Sequence, residues 1–234
     1  EVRPGKPLPF GVTPALNGLN FSIFTSSGTS CTLVLFHLAE KEPYAEIQIP
    51  ESFRVGNVYS IVVFGLDIEN LEYGYRIDGP NSFASGHAFD QSKILMDPYA
   101  RLISGRNTWA SNPDWTNQYP YRSRVPLDDF DWGTDKQLEI PPENLIIYEL
   151  HVRGYTISET SGTQFSGTYA GLVEKIPYFK SLGINAIELM PIFEFDEYEN
   201  SRDHPDTGEK LYNFWGYSTL GFFAPKAALA STGK

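Results

Sequence analysis

Glu194, Asp196, Glu197 and Glu199 follow directly on an apolar run. Paired carboxylates suit glycoside hydrolysis, in which one protonates the leaving oxygen and the other attacks or activates water. They equally suit Ca²⁺, which takes oxygen ligands. Their spacing alone favours a plainer reading, a solvated acidic loop, which Asp203, His204 and Asp206 continue without a ligand spacing. Upstream, Glu149, His151 and Arg153 alternate in ELHVR. That trio suits a polar site in a barrel mouth or, as favoured here, a satisfied structural network at a strand end. His151 has no HExxH partner, so no zinc site follows. A third feature is NFWGYSTLGFF, Asn213 to Phe223, aromatic and free of charge. A Tyr or Trp at a barrel mouth can stack on the apolar face of a pyranose while hydroxyls bond around its edge. The alternative is rings that fill the gap beneath a long loop, and spacing leaves the two open.

Composition narrows the setting. The 234 residues suffice for one large domain or two small ones, and 41% hydrophobic content supports a core. A net charge of −11 without a Lys/Arg cluster excludes a nucleic-acid partner and argues against an anionic membrane surface. No apolar run approaches the length of a membrane span. Cys31 is the only cysteine, which rules out an intramolecular disulfide and a cysteine metal site; its apolar run marks it as a buried thiol. Asn20-Phe21-Ser22 is a formal glycosylation sequon inside an expected strand. No GxSxG, GxxxxGK[ST] or GxGxxG is present, so a serine elbow, a phosphate cradle and a dinucleotide site lack support. The chain opens at Glu1, as expected of a processed or partial polypeptide.

The elements that must carry these residues fall into three stretches. Residues 1–95 read as a β-sandwich. LNFSIF, CTLVLFHL, EIQIP, VYSIVVFGL and LEYGYRIDG are strand runs at intervals of roughly ten residues, separated by turn-forming residues. Residues 96–143 carry Pro113, Pro120, Pro126, Pro141 and Pro142 with Trp109, Trp115 and Trp132. They read as an ordered connector packed through its rings. From residue 144 the period changes. LIIYELHV (Leu145 to Val152) reads as a buried parallel strand, and INAIELMPI (Ile184 to Ile192) as a second. Between them Leu172, Ile176 and Phe179 fall at helical spacing. Pro177 removes a backbone donor mid-run, so a short helix and a restart are expected, with Gly183 as the stop. Strand, helix, strand is a βαβ unit. The loop after Ile192 then leaves the C-terminal end of the second strand, the functional face in barrels, and NFWGY lies at its far end.

The longer motifs resemble a known family. IIYELHVRGYT, GTYAGLVEKIPYFKSLGINAIELMPIFEFDE and NFWGYSTLGFFAP, in that order, look like the start of the catalytic barrel of isoamylase-type debranching enzymes in glycoside hydrolase family 13. PFGVTPALNGLNFSIFTSSGTSCTLVLF, YGYRIDGP and GHAFDQSKILMDPYAR are similar to the immunoglobulin-like sandwich of carbohydrate-binding module family 48 and its join to that barrel. The wording of GYSTLGFFAP is closer to plant and algal isoamylases than to bacterial ones. The resemblance implies an N-terminal sandwich (1–95), a connector (96–143) and an incomplete (β/α)8 TIM barrel beginning at 144–234.

It also implies retaining hydrolysis of α-1,6 branch points in amylopectin or glycogen by the full-length enzyme. The family's Asp nucleophile, Glu acid/base and second Asp sit at the ends of barrel strands four, five and seven. This chain contains strands one and two, so no catalytic residue is assigned in it and the 234-residue polypeptide is expected to be inactive. Tyr217 matches the second aromatic of the WGY motif that stacks on glucose, and Trp215 and Asn213 are expected to shape its loop. Some bacterial relatives bind calcium through a Glu-Thr-x-Asn segment. Here it reads Glu194-Phe195-Asp196-Glu197, so no cofactor is expected, calcium included. Plant relatives commonly carry Trp where this sandwich has Tyr59, and the paired tryptophans of strong glycogen binders have no evident counterpart. Expected partners are branched α-glucan and isoamylase-family subunits, in the plastid stroma for a plant or algal protein and the cytoplasm otherwise. The competing reading is a non-catalytic glucan-binding or scaffold protein; a third is a protein-interaction sandwich in which NFWGY is packing alone.

Overall fold

In the computed structural model, residues 1–114, 116–126, 130–200 and 202–232 are described; Trp115 lies outside them. The chain divides into two compact units. The first comprises residues 1–105, 113–126 and 221–224, and the second residues 106–112, 127–220 and 225–234. The stretch 96–143 is shared between them.

The first unit holds β1 (Val2–Pro4), β2 (Gly11–Ala15), β3 (Gly18–Phe24), β4 (Ser30–His37), β5 (Ala45–Gln48), β6 (Arg54–Val55), β7 (Val58–Phe64) and β8 (Leu71–Asp78). A small hairpin, β9 (Asn81–Ser82) with β10 (His87–Ala88), precedes β11 (Leu102–Ser104) and β12 (Arg122–Arg124). One sheet runs β1-β7-β3-β2 with β6 added to β7, and the other runs β11-β12-β8-β4-β5, all antiparallel. Alternation decides the core. Leu19, Phe21 and Ile23 from β3 meet Cys31, Leu33 and Leu35 from β4 and Tyr73, Tyr75 and Ile77 from β8. Phe21 sits edge-on to Tyr73 at 5.1 Å. Cys31 is buried among them, and burial pushes its thiol up to about 12. Tyr59 is in the same core, its hydroxyl donating to Glu51 at 3.2 Å, so its ring offers no exposed face to a sugar.

The outward face of β3 is also covered. Asn20 accepts from the Lys6 N–H and donates to the Lys6 carbonyl, and Ser22 donates to the Pro7 carbonyl. The sequon side chain is thus consumed by the fold. The outward face of β4 and β8 buries charge instead. Glu72 is held by Arg122 at 3.1 Å and by the Ser104 hydroxyl, and the Arg122 guanidinium lies 3.8 Å from the Phe36 ring centroid. Arg122 also donates to the Glu40 and Lys41 carbonyls.

The second unit starts with β13 (Ile147–Leu150), followed by α1 (Val152–Thr156), α2 (Tyr169–Val173), α3 (Ile176–Ser181) and β14 (Ala186–Leu189). β13 and β14 pair in parallel, Ile147 opposite Ala186 through Leu150 opposite Leu189. The expected βαβ order is present, and its helical run breaks where Pro177 requires, at the start of α3. Gly183, at φ +80°, ends α3 with its N–H on the Lys180 carbonyl and the Ile184 N–H on the Phe179 carbonyl, a Schellman closure. Thr168 caps α2 through the Gly171 N–H. The first strand is shorter than the run Leu145 to Val152: it stops at Leu150, because His151 turns to cap α1. Glu149, His151 and Arg153 therefore do not share one strand face. Leu150, Val152, Leu172, Phe179 and Leu229 form the core of this unit. β15 (Phe193–Phe195) follows, and β16 (Thr219–Pro225) supplies residues to both units. Trp109 packs in the second unit's core, whereas Trp132 is exposed. Among the described residues no helix is long and apolar enough to cross a membrane.

Arg122→Met strips Glu72 of its buried counter-charge and is expected to cost about 3–5 kcal/mol in urea unfolding. The double variant Glu72→Leu/Arg122→Met, which removes both charges, is expected to recover most of that loss.

Candidate functional site: an aromatic pocket on a charged anchor

The segment after β15 is built on a buried ion cluster. Lys226 is fully buried, with its ammonium 2.7 Å from Glu194 and 3.1 Å from Glu197, both also buried. It donates to the Phe195 carbonyl at 2.9 Å and lies 4.9 Å from that ring's centroid. The second oxygen of Glu194 accepts the Ala227 N–H at 2.9 Å. Burial pushes the Glu194 carboxyl up, against the pull of Lys226 and the Ala227 N–H. Asp196 pairs with Arg106 at 3.3 Å, and that guanidinium covers the Tyr198 ring. The acidic stretch is therefore not a solvated loop. Two of its carboxylates are interior, one is paired, and the exposed Glu199 holds the next loop in place. Lys226 was legible only as a lone charge in the apolar run FFAPKAALA.

On this anchor sits the aromatic loop. Asn213 N–H donates to the Glu197 carbonyl at 2.8 Å. Its side-chain oxygen accepts the Gly216 N–H at 3.0 Å, and its amide donates to Glu199 at 3.3 Å. Ser218 donates to the other Glu199 oxygen at 2.6 Å. Gly216 has φ +80°, and a Cβ there would lie 2.6 Å from the Phe195 ring, so the turn needs glycine twice over. The result is an open pocket of about 640 Å³ lined by Glu199, Asn200, Tyr212, Asn213, Phe214, Trp215, Tyr217 and Ser218. Trp215 and Tyr217 are 62% and 66% exposed, their rings 6.4 Å apart and nearly perpendicular. Asn213, Trp215 and Tyr217 thus meet at one pocket: Asn213 ties the turn, and the two rings project from it.

Beneath the loop, His151 stacks on Phe214 at 4.5 Å, and its Nε2 lies 2.8 Å from the Phe214 carbonyl. Trp109 stands edge-on to Phe195, Phe214 and His151, with Arg153 over its face. Such a surface, flat rings above and hydrogen-bonding Asn, Ser and Glu beside them, can hold a polyhydroxylated ring.

Residues 9–100 match the model described as carbohydrate-binding module 48 (isoamylase N-terminal domain). Over nearly its whole length, module included, the chain is 41% identical over 237 aligned residues to the chloroplastic isoamylase 1 of Arabidopsis thaliana, covering 98% of this chain and 30% of that protein. It is 35% identical over 250 aligned residues to the glycogen operon protein GlgX homolog of Mycobacterium bovis, covering 99% of this chain and 33% of that one. The chain thus resembles isoamylase-type debranching enzymes throughout, and spans about a third of the length of these relatives. Its fold is that of a Paenibacillus barengoltzii pullulanase solved with maltotetraose, with a TM-score of 0.72 at 22% identity, covering 94% of this chain and 32% of that one.

Lys226→Met leaves two buried carboxylates without a cation, at an expected cost of about 3–5 kcal/mol. Limited proteolysis of the variant is expected to cut first within residues 196–218; an unchanged digestion pattern and melting temperature would show that the cluster does not anchor this loop.

Proposed function

We infer that this chain is the N-terminal portion of an isoamylase-type enzyme that hydrolyses α-1,6 linkages in amylopectin or glycogen. Residues 1–95 serve as a glucan-binding-like module, 96–143 as a connector, and 144–234 as the start of a (β/α)8 barrel. The observation that carries the reading is the aromatic pocket, which follows the second strand of a parallel βαβ unit, on a chain matching isoamylase relatives almost end to end. The barrel reading is further supported by Ile146, Ile147 and Ile187, apolar side chains at or beside the paired strands that stand 45–57% exposed and that a closed barrel would cover.

Tyr217 is the ring placed beneath a glucose, excluding water from one pyranose face. Trp215 walls the same pocket, and Asn213 keeps both rings in register. The bond-breaking carboxylates are assigned to none of these residues: Glu194 and Glu197 are buried around Lys226, and Asp196 is paired with Arg106. The calcium of some relatives does not fit here, because the Lys226 ammonium already neutralises the carboxylates of the corresponding segment. For a plant or algal protein the expected compartment is the plastid stroma, in keeping with the chloroplastic relatives, and otherwise the cytoplasm, with isoamylase-family subunits as expected protein partners.

In the full-length enzyme, Tyr217→Ala is expected to lower kcat/KM on amylopectin about tenfold, equivalent to ~1.4 kcal/mol, without moving the melting temperature. Unchanged turnover would assign the loop to packing alone. The purified 234-residue chain is expected to release no reducing ends from amylopectin; their appearance would place the chemistry within it.

A further inference from the structure

His151 has no part in the reading above, yet both its nitrogens are committed. Nδ1 accepts the Gly154 N–H at 2.9 Å, as the cap of α1. A backbone N–H only donates, so Nδ1 carries no proton and Nε2 must carry it. Nε2–H then donates to the Phe214 carbonyl at 2.8 Å. One neutral tautomer satisfies both bonds, and the ring stacks on the Phe214 side chain at 4.5 Å and 21°. No other described residue joins β13 to the aromatic loop in this way, through both the backbone and the ring of one loop residue. Phe214 is the residue directly before Trp215.

We propose that His151 is a positioning residue for the aromatic loop, holding residues 213–218 in their pocket-forming shape through the Phe214 carbonyl and ring. Its link to glucan rests on the function proposed above; its link to the loop does not. The groups facing it are the Trp109 and Phe214 rings, the Gly154 N–H and, among charged side chains, Arg153. Burial, and then the Arg153 charge, hold the imidazole below its ordinary value, against the Phe214 carbonyl. The sign follows. Protonation turns Nδ1 into a donor facing the Gly154 N–H, so the α1 cap is complete above the unfolded value, about 6.5, and is lost as pH falls through the lower folded value, while Nε2–H goes on donating to the Phe214 carbonyl.

Hydrogen exchange of segment 213–218 in the full-length protein, corrected for intrinsic rates, reads the loop directly. His151→Asn keeps an acceptor for the α1 cap but cannot reach the Phe214 carbonyl; exchange of 213–218 is expected to rise at least tenfold, with the sandwich unchanged. His151→Gln retains a distal N–H donor and is expected to restore much of the protection. In the native protein, exchange of the Gly154 amide is expected to rise below about pH 6.5 while 213–218 stay protected, and in His151→Asn the Gly154 amide is expected to lose that dependence. Protection of 213–218 equal to the native protein in His151→Asn overturns the proposal. Should His151→Asn not fold, His151→Gln against His151→Ala decides in the same way, equal protection of 213–218 in the two overturning the proposal. Affinity for maltooligosaccharides, measured in parallel, separates the two ideas: loosened exchange with unchanged affinity leaves His151 in its role and removes glucan from this pocket.

Discussion

A lysine ammonium with no access to water, held between two buried carboxylates, is the constraint on which the second unit depends. Removing Lys226, Glu194 and Glu197 from water costs several kcal/mol per ion, and only close pairing offsets it. The 2.7 and 3.1 Å separations, the Phe195 carbonyl and the Ala227 N–H provide that pairing. Few arrangements of the chain satisfy so many charged groups together. The cluster therefore fixes residues 194–197 against 226–227, with Glu194 and Lys226 32 positions apart. The aromatic loop lies between the two ends so fixed, and Asn213 hangs from the carbonyl of Glu197 itself.

From that anchor the polar bonds run outward to the pocket. Glu197 fixes Asn213; Asn213 closes the turn on Gly216; Glu199 holds Asn213 and Ser218 from the other side. The rings run inward. Phe214 lies against His151 and Trp109, and Trp109 lies against Phe195, whose ring faces the Lys226 ammonium. Polar and apolar contacts thus converge on one short segment. Trp215 and Tyr217 can be both exposed and held, which is what a surface for a flat ligand needs: the cost of ordering the rings is met in folding rather than on binding.

How far this was legible in the sequence differs between the units. The sandwich strands were legible because period-two alternation is local, and each strand's face is decided by its own residues, as in Leu19, Phe21 and Ile23. The break at Pro177 and the stop at Gly183 were legible for the same reason, since both are covalent limits on one residue's backbone. The end of β13 was not. Val152 prolongs the apolar run, but its backbone is helical because the side chain of His151 takes the Gly154 N–H, a bond that propensity does not report. The acidic stretch was misjudged more deeply. Carboxylates adjacent in sequence look solvated until a counter-charge is found, and for Glu194 and Glu197 it is Lys226, distant in sequence and unmarked by any motif. Asn213, Trp215 and Tyr217 could be gathered as one feature because they are neighbours. The residues that hold their loop in place could not.

The buried cluster also differs in kind from a metal ion held between carboxylates. A divalent cation between carboxylates is exchangeable, and its hold depends on concentration and on competing ligands. An ammonium on the chain's own backbone is present at fixed stoichiometry and cannot dissociate. It donates directed bonds to Glu194 and the Phe195 carbonyl and pairs by charge with Glu197 at 3.1 Å, whereas a calcium ion would ask for six or more oxygens. The lysine therefore settles for fewer ligands and a tighter geometry. The same choice makes the site intolerant of neutral substitution, because both carboxylates stay in the interior when the ammonium is lost.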